Sequence, residues 1–111
     1  MQKKKFKQLK NVQAFMQKQA KEIRLEYFLI LNMLEENGRL SMPYGEKLSG
    51  KDLFAIRIIR SGNVRIFYTY GVNDDIYGLH AYVKKTQKIP KKELKQAEKI
   101  LKLLRSGGLV K

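Results

Sequence analysis

The sequence predicts an α+β fold: a compact domain with a helical hairpin at the N-terminus, an antiparallel sheet of three or more strands, and a helix at the C-terminus. Three observations predict it. Apolar residues recur at helical spacing from Leu9 to Asn37, three runs rich in Ile, Val, Phe and Tyr follow with short turn-forming links, and a last apolar stripe opens on a proline and closes on glycines. At 111 residues the chain has the length of one ordinary domain, so residues 1–111 are read as a single unit.

In the first segment Leu9, Val12 and Met16, then Ile23, Tyr27, Ile30, Leu31 and Leu34, mark a helical face, and Gly38 is a good stop. No Gly or Pro divides the stretch, so one long helix and a hairpin broken near Gln17 to Lys21 both fit; ordinary helix lengths favour the hairpin. Phe15, Tyr27 and Phe28 are expected in its core. Ser41 to Lys51, with Pro43, Gly45 and Gly50, reads as a connecting loop. Strands are expected at Leu53 to Ile59, Val64 to Tyr70 and Ile76 to Lys84, joined antiparallel by Ser61-Gly62-Asn63 and by Gly71 to Asp75. Pro90 opens the final helix, Leu94, Ala97, Leu101 and Leu104 form its stripe, and Gly107 and Gly108 end it.

Lysine plus arginine number 24 against 10 acidic residues, a formal charge of +14. Such an excess repels itself unless an anionic partner is bound, and nucleic acid is the first candidate. A membrane span is not expected, because the longest apolar run, Tyr27 to Leu31, is far short of the roughly 20 residues required. MQKKKF carries no apolar signal core behind its lysines, so the expected location is cytoplasmic. With no cysteine and one histidine the chain has no disulfide or thiolate chemistry and a poor ligand set for zinc; neither metal nor cofactor is expected.

Side chains alternate between the faces of a strand, so parity sorts the basic residues. Phe54, Ile56 and Ile58 go inward, as do Val64, Ile66 and Tyr68, and Leu79, Ala81 and Val83. Arg57, Arg65, His80, Tyr82 and Lys84 are then gathered on the opposite face, with all the helices expected on the apolar side. A wet sheet face with basic residues that only keep the protein soluble fits the same pattern, and for His80 alone a surface or satisfied core position is the plainer reading.

No pair of convergent carboxylates is evident. Gly50-Lys51-Asp52 lacks the rest of a phosphate loop, and Ser41, Ser49, Ser61 and Ser106 lie in loops with no histidine nearby in sequence. What remains suits RNA cleavage without metal. There the substrate's 2′-hydroxyl is the nucleophile, and the protein supplies a base, an acid and cations for the charge that develops on phosphorus.

LFAIRI, then VRIFYTY, then LHAYVKKTQKIPKKE, with MPYGEKLSGKDLF in front, resemble the RelE superfamily of bacterial toxins in its HigB-like, phage Gp49-like branch. The resemblance covers roughly Met42 to Leu104. It implies a RelE-like toxin of a type II toxin–antitoxin pair, which cleaves mRNA in the ribosomal A site and is neutralised by a helix-turn-helix antitoxin. The family's strand arginine falls on Arg65, expected at the scissile phosphate, and a second on Arg57. The basic pair after the last strand falls on Lys84 and Lys85, of which parity puts Lys84 on the active face; His80 and Tyr82 line the same strand, with His80 and Lys84 expected in catalysis beside the arginines and Tyr82 and Lys85 expected to bind RNA. Lys88, Lys91 and Lys92 lie beyond the sheet, where they attract RNA. Three departures stand out. MQKKKFKQLKN is a poor match to the β-strand with which the family begins, Ile89 replaces the threonine common before the proline, and Val64 stands where an aromatic residue is frequent. Two other functions fit the same charge: a non-catalytic RNA- or DNA-binding module, and an interaction protein that docks an acidic partner.

Overall fold

The computed structural model describes residues 3–48 and 50–111; Met1, Gln2 and Ser49, the last read above as a loop serine, lie outside them. In chain order the elements are β1 (Lys5–Gln8), α1 (Lys10–Gln17), α2 (Lys21–Asn37), β2 (Gly45–Lys47), β3 (Phe54–Ile58), β4 (Val64–Tyr70), β5 (Asp75–Val83) and α3 (Lys91–Ser106). The strands form one sheet in the order β1-β5-β4-β3-β2, with β1 parallel to β5 and every other neighbour antiparallel.

The helical hairpin breaks where it was expected. Lys18 folds its N–H back onto Phe15 and Met16, Ala20 turns extended, and α2 runs on to Gly38, whose φ of 77° closes the helix with an N–H bond to the Leu34 carbonyl. Between β4 and β5 the turn places Asn73 and Asp74 at φ 58° and 62°, a left-handed pair that Asn and Asp tolerate and that matches strand twist. Pro90 is itself the N-cap of α3, and its ring carries no oxygen with which to make a side-chain bond.

Five expectations are corrected. The lysine-rich start does form a strand: β1 is a short edge beside β5, where only alternate side chains need cover, and Phe6 lies on Gly78, a Cβ at which would sit 2.7 Å from the ring. The segment read as a loop contains β2, three residues paired with β3. Phe28 is 58% exposed, because α2 buries only the face that carries Tyr27, Ile30 and Leu34.

The largest correction concerns the layers. The helices do not share one side of the sheet. Val12, Met16, Tyr27, Ile30 and Leu34 from α1 and α2 pack on Ile56, Ile58, Val64, Ile66, Tyr68 and Ala81. Ala97 and Leu101 of α3 pack on the other face, against Ala55, Phe67, Tyr77, Leu79 and Tyr82. Leu79 therefore faces opposite to the parity assignment. A bulge explains it: Phe67 pairs with His80 and Tyr68 with Gly78, so Leu79 is an extra residue and the alternation slips by one. The arginine-bearing face is dry under α3 and opens only beyond it.

Candidate active site

Arg57, Arg65 and Tyr82 lie directly opposite one another across β3, β4 and β5. Opposed residues of antiparallel strands share a face at close range, and two like charges so placed are normally unfavourable. Here Arg65 and Tyr82 are also buried, at 4% and 3% exposed, and Arg57 is partly buried. Each arginine keeps one hold on the backbone. Arg57 Nη1 donates to the Pro43 carbonyl at 3.1 Å, and Arg65 Nη1 donates to the Val64 carbonyl at 3.2 Å. Arg57 Nε, Arg65 Nε and the Tyr82 hydroxyl are buried with no partner. A buried unpaired polar group costs about 1–3 kcal/mol, and a native fold seldom carries three in one row without a use for them. Donors set side by side on one sheet face suit an oxyanion.

Burial and the neighbouring Arg57 charge pull the Arg65 guanidinium below its ordinary pKa. Burial pushes the Tyr82 phenol above its own, against the opposing pull of Arg65. Tyr82 is thus held as a neutral donor. Glu46 of β2 stands opposite Ala55 on this same face and acts on both Arg65 and Tyr82 through its charge. It enters no ion pair or hydrogen bond among the described residues, in a chain whose other carboxylates, Glu22 apart, are engaged.

Lys84 leaves the end of β5 clamped to Asn63: its N–H donates to the Asn63 carbonyl and Asn63 Nδ2 donates to its carbonyl, both at 2.7 Å. This pair extends the β4–β5 ladder by one rung and places Lys84 beside Arg65 in a cleft of about 430 Å³, with Lys85, Thr86 and Gln87 as further walls. Arg57, Arg65, Lys84 and Lys85 enter no salt bridge among the described residues.

The other sequence-predicted residues divide. His80 stacks near Tyr82, with ring centroids 6.3 Å apart and planes within 16°, but its Nε2 is paired with Glu93 of α3 at 2.8 Å. Lys88, Lys91 and Lys92 are exposed outside the cleft, the last two on the first turn of α3. Sequence reasoning missed Glu46, which sat in a presumed loop, and Asn63, read only as a turn residue. The pairing of β2 is what brings Glu46 to this face, and no local signal announces a three-residue strand. Among the described residues no three His, Asp or Glu side chains gather as a metal cluster, and no helix is long and apolar enough to cross a membrane.

Helices on both sides of a five-stranded sheet, with paired arginines on it, fit the class of RelE-like toxins. The chain belongs to the phage-derived protein Gp49-like family, whose model matches residues 14–102 and which is part of the RelE/HigB-like toxin superfamily. The match spans the whole of the site. That family is one of toxin–antitoxin toxins, which implies an antitoxin as partner. No curated protein matches the chain.

Proposed function

We propose that this chain is the toxin of a type II pair and a metal-independent endoribonuclease that cleaves mRNA on the ribosome, neutralised by a helix-turn-helix antitoxin. The observation that carries the reading is the row of unpartnered buried donors, Arg57 Nε, Arg65 Nε and Tyr82 OH, beside the Lys84 cleft. A phosphodiester seated there receives the Arg65 guanidinium, with Arg57 behind it and Lys84 at its side. Glu46 takes the proton of the 2′-hydroxyl as that oxygen attacks phosphorus. The P–O5′ bond breaks, Tyr82 protonates the departing O5′, and a 2′,3′-cyclic phosphate is left on the upstream fragment. His80, held by Glu93, keeps the Tyr82 ring in place. The cations act most strongly on the pentacovalent state, where negative charge is greatest, which is where binding becomes rate.

The test is controlled expression in bacteria of the chain and of Arg65→Ala, reading growth and mRNA integrity together. The expected result is arrest with fragmented transcripts for the first and neither for the second. Equal fragmentation by both rejects the assignment, and a weakened but cleavage-free binder points to a nucleic-acid-binding module instead. On purified ribosomes with mRNA, titrating chelator down to the level the ribosome itself tolerates should leave the cleavage rate unchanged. Loss of cleavage that returns only with a metal bound to this chain rejects metal independence.

A further inference from the structure

Next to the cationic cleft, and sharing Lys85 and Thr86 with it, lies a second hollow of about 380 Å³ between α1, the end of β5 and the start of α3. That volume falls within the roughly 300–1,000 Å³ of small-molecule sites. Its walls are of a different kind. Phe15, Val83 and Pro90 are apolar, and Val83 remains 45% exposed at the end of a strand whose other apolar residues are covered. Its polar wall joins Tyr82 and the shared Lys85 and Thr86 to the carboxylate of Glu93, the first-turn acid of α3, fixed in rotation by the bond from His80 Nε2 to Oε1. The proposed chemistry uses Tyr82 and the Glu93–His80 pair at the edge of this hollow and leaves the space itself unassigned.

We infer that the hollow is a nucleobase pocket that selects guanine in the nucleotide adjoining the scissile phosphate; the inference rests on the endoribonuclease reading above. The juxtaposition is that of a nucleotide, with cations for phosphate on one side of Lys85 and Thr86 and an apolar slot on the other. Single-stranded RNA is recognised by stacking unstacked bases on aromatic side chains and by bonding their Watson–Crick edges. Phe15 and Pro90 supply faces for the stack. The Glu93 carboxylate accepts and cannot donate, so it sets the choice of base. Guanine presents its ring N1–H and exocyclic amino group side by side, matched to two carboxylate oxygens. Adenine and cytosine put a ring nitrogen acceptor beside their amino group, and uracil flanks its one N–H with carbonyl oxygens. Each of these three turns a lone pair toward an anion and is rejected by it.

The test follows the backbone amide resonances of the wild-type chain during titration with the 5′-monophosphates of guanosine, adenosine, cytidine and uridine, and with inorganic phosphate. All five are expected to shift Lys84 to Gln87, and guanosine monophosphate alone to shift Phe15, Val83 and Glu93 as well. Four nucleotides that give the phosphate pattern overturn the base pocket and leave the phosphate cleft standing. Ligands that move nothing in Lys84 to Gln87 overturn the cleft and, with it, the proposed function. In cleavage mapping the wild type should favour junctions next to guanine by roughly tenfold, within the range one well-placed pair gives; Phe15→Ala should flatten that preference while cleavage continues, and Glu93→Gln should flatten it as well, read as the ratio between junctions because its total rate falls with the hold on His80. Unchanged preference in both variants rejects the pocket.

Discussion

At the scale of single residues the proposed site rests on Arg65, because its guanidinium is buried, lowered in proton affinity, and left with a free Nε. Charge alone does not explain that placement. A lysine would keep the charge and lose the planar fork, so Arg65→Lys is expected to fall by about 10²–10³ in kcat, a loss of the size seen when one oxyanion donor is removed. A variant within threefold of the parent would reduce Arg65 to a generic cation. Tyr82 gives a pH test with a definite sign. Its phenol is pushed above the ordinary 10.0, so the protonated, donating form persists beyond the pH at which a free tyrosine ionises. In an ultraviolet titration, the phenolate signal missing from Tyr82→Phe should develop above pH 10. The same variant should lose about 10²-fold in kcat at neutral pH, the usual minimum for a missing general acid. A phenolate that appears below pH 10 contradicts the structure around it.

At the scale of elements, Glu26 of α2 reaches across to the link between β3 and β4 and accepts the N–H groups of Ile59, Arg60 and Ser61 and the Ser61 hydroxyl. Burial pushes this carboxyl up, but the four hydrogen bonds outweigh it and hold it below its ordinary 4.5. A lowered folded-state pKa adds stability that is present above the unfolded value and lost as pH falls through the folded one. Glu26→Ala is therefore expected to cost about 1–3 kcal/mol in denaturant unfolding at neutral pH. The gap between parent and variant should narrow below pH 4.5, and a gap that widens there would show that the carboxylate is not the anchor. Much of this element scale was readable in sequence. Helical spacing and Gly38 located α2, Pro90 located α3, and turn residues separated β3, β4 and β5. The parity argument put Arg57, Arg65, Tyr82 and Lys84 on one face because β3 and β4 run without a bulge up to Phe67. It failed for Leu79, since a bulge depends on the partner strand, and for the side taken by α3, since an amphipathic stripe states that a helix needs a sheet and not which face of it. β1 and β2 were unreadable for a related reason: they are short edges, and their pairing comes from the strands they join.

At the scale of the whole molecule, the +14 charge is left standing because the few acids are spent on local tasks. Glu36, Asp74, Asp75, Glu98 and Asp52 pair with lysines or an arginine away from the site, and Glu26 and Glu35 hold backbone N–H groups. The stretch from Lys84 to Lys92 keeps its cations unpaired among the described residues, and under the proposed mechanism their positions give them different roles. Lys84 is clamped by Asn63 beside Arg65, whereas Lys91 and Lys92 stand exposed on α3 outside the cleft. A cation at the cleft acts mainly on the transition state; one outside it acts on encounter and binding. Lys84→Ala should therefore lower turnover at saturation by at least tenfold while association with ribosomes or RNA stays nearly unchanged. Neutralising Lys91 and Lys92 together should weaken association, leave the saturated rate near that of the parent, and make the logarithmic salt dependence shallower by about 1.4, the release of two counterions from single-stranded RNA. The fold should tolerate that double change, because lysines on a first turn oppose the helix dipole. Turnover and association measured for both variants across a salt series decide the matter: if Lys84→Ala cleaves at the parent rate once saturated, the strand-end lysine is a solvated exit and the chemistry lies elsewhere on the sheet.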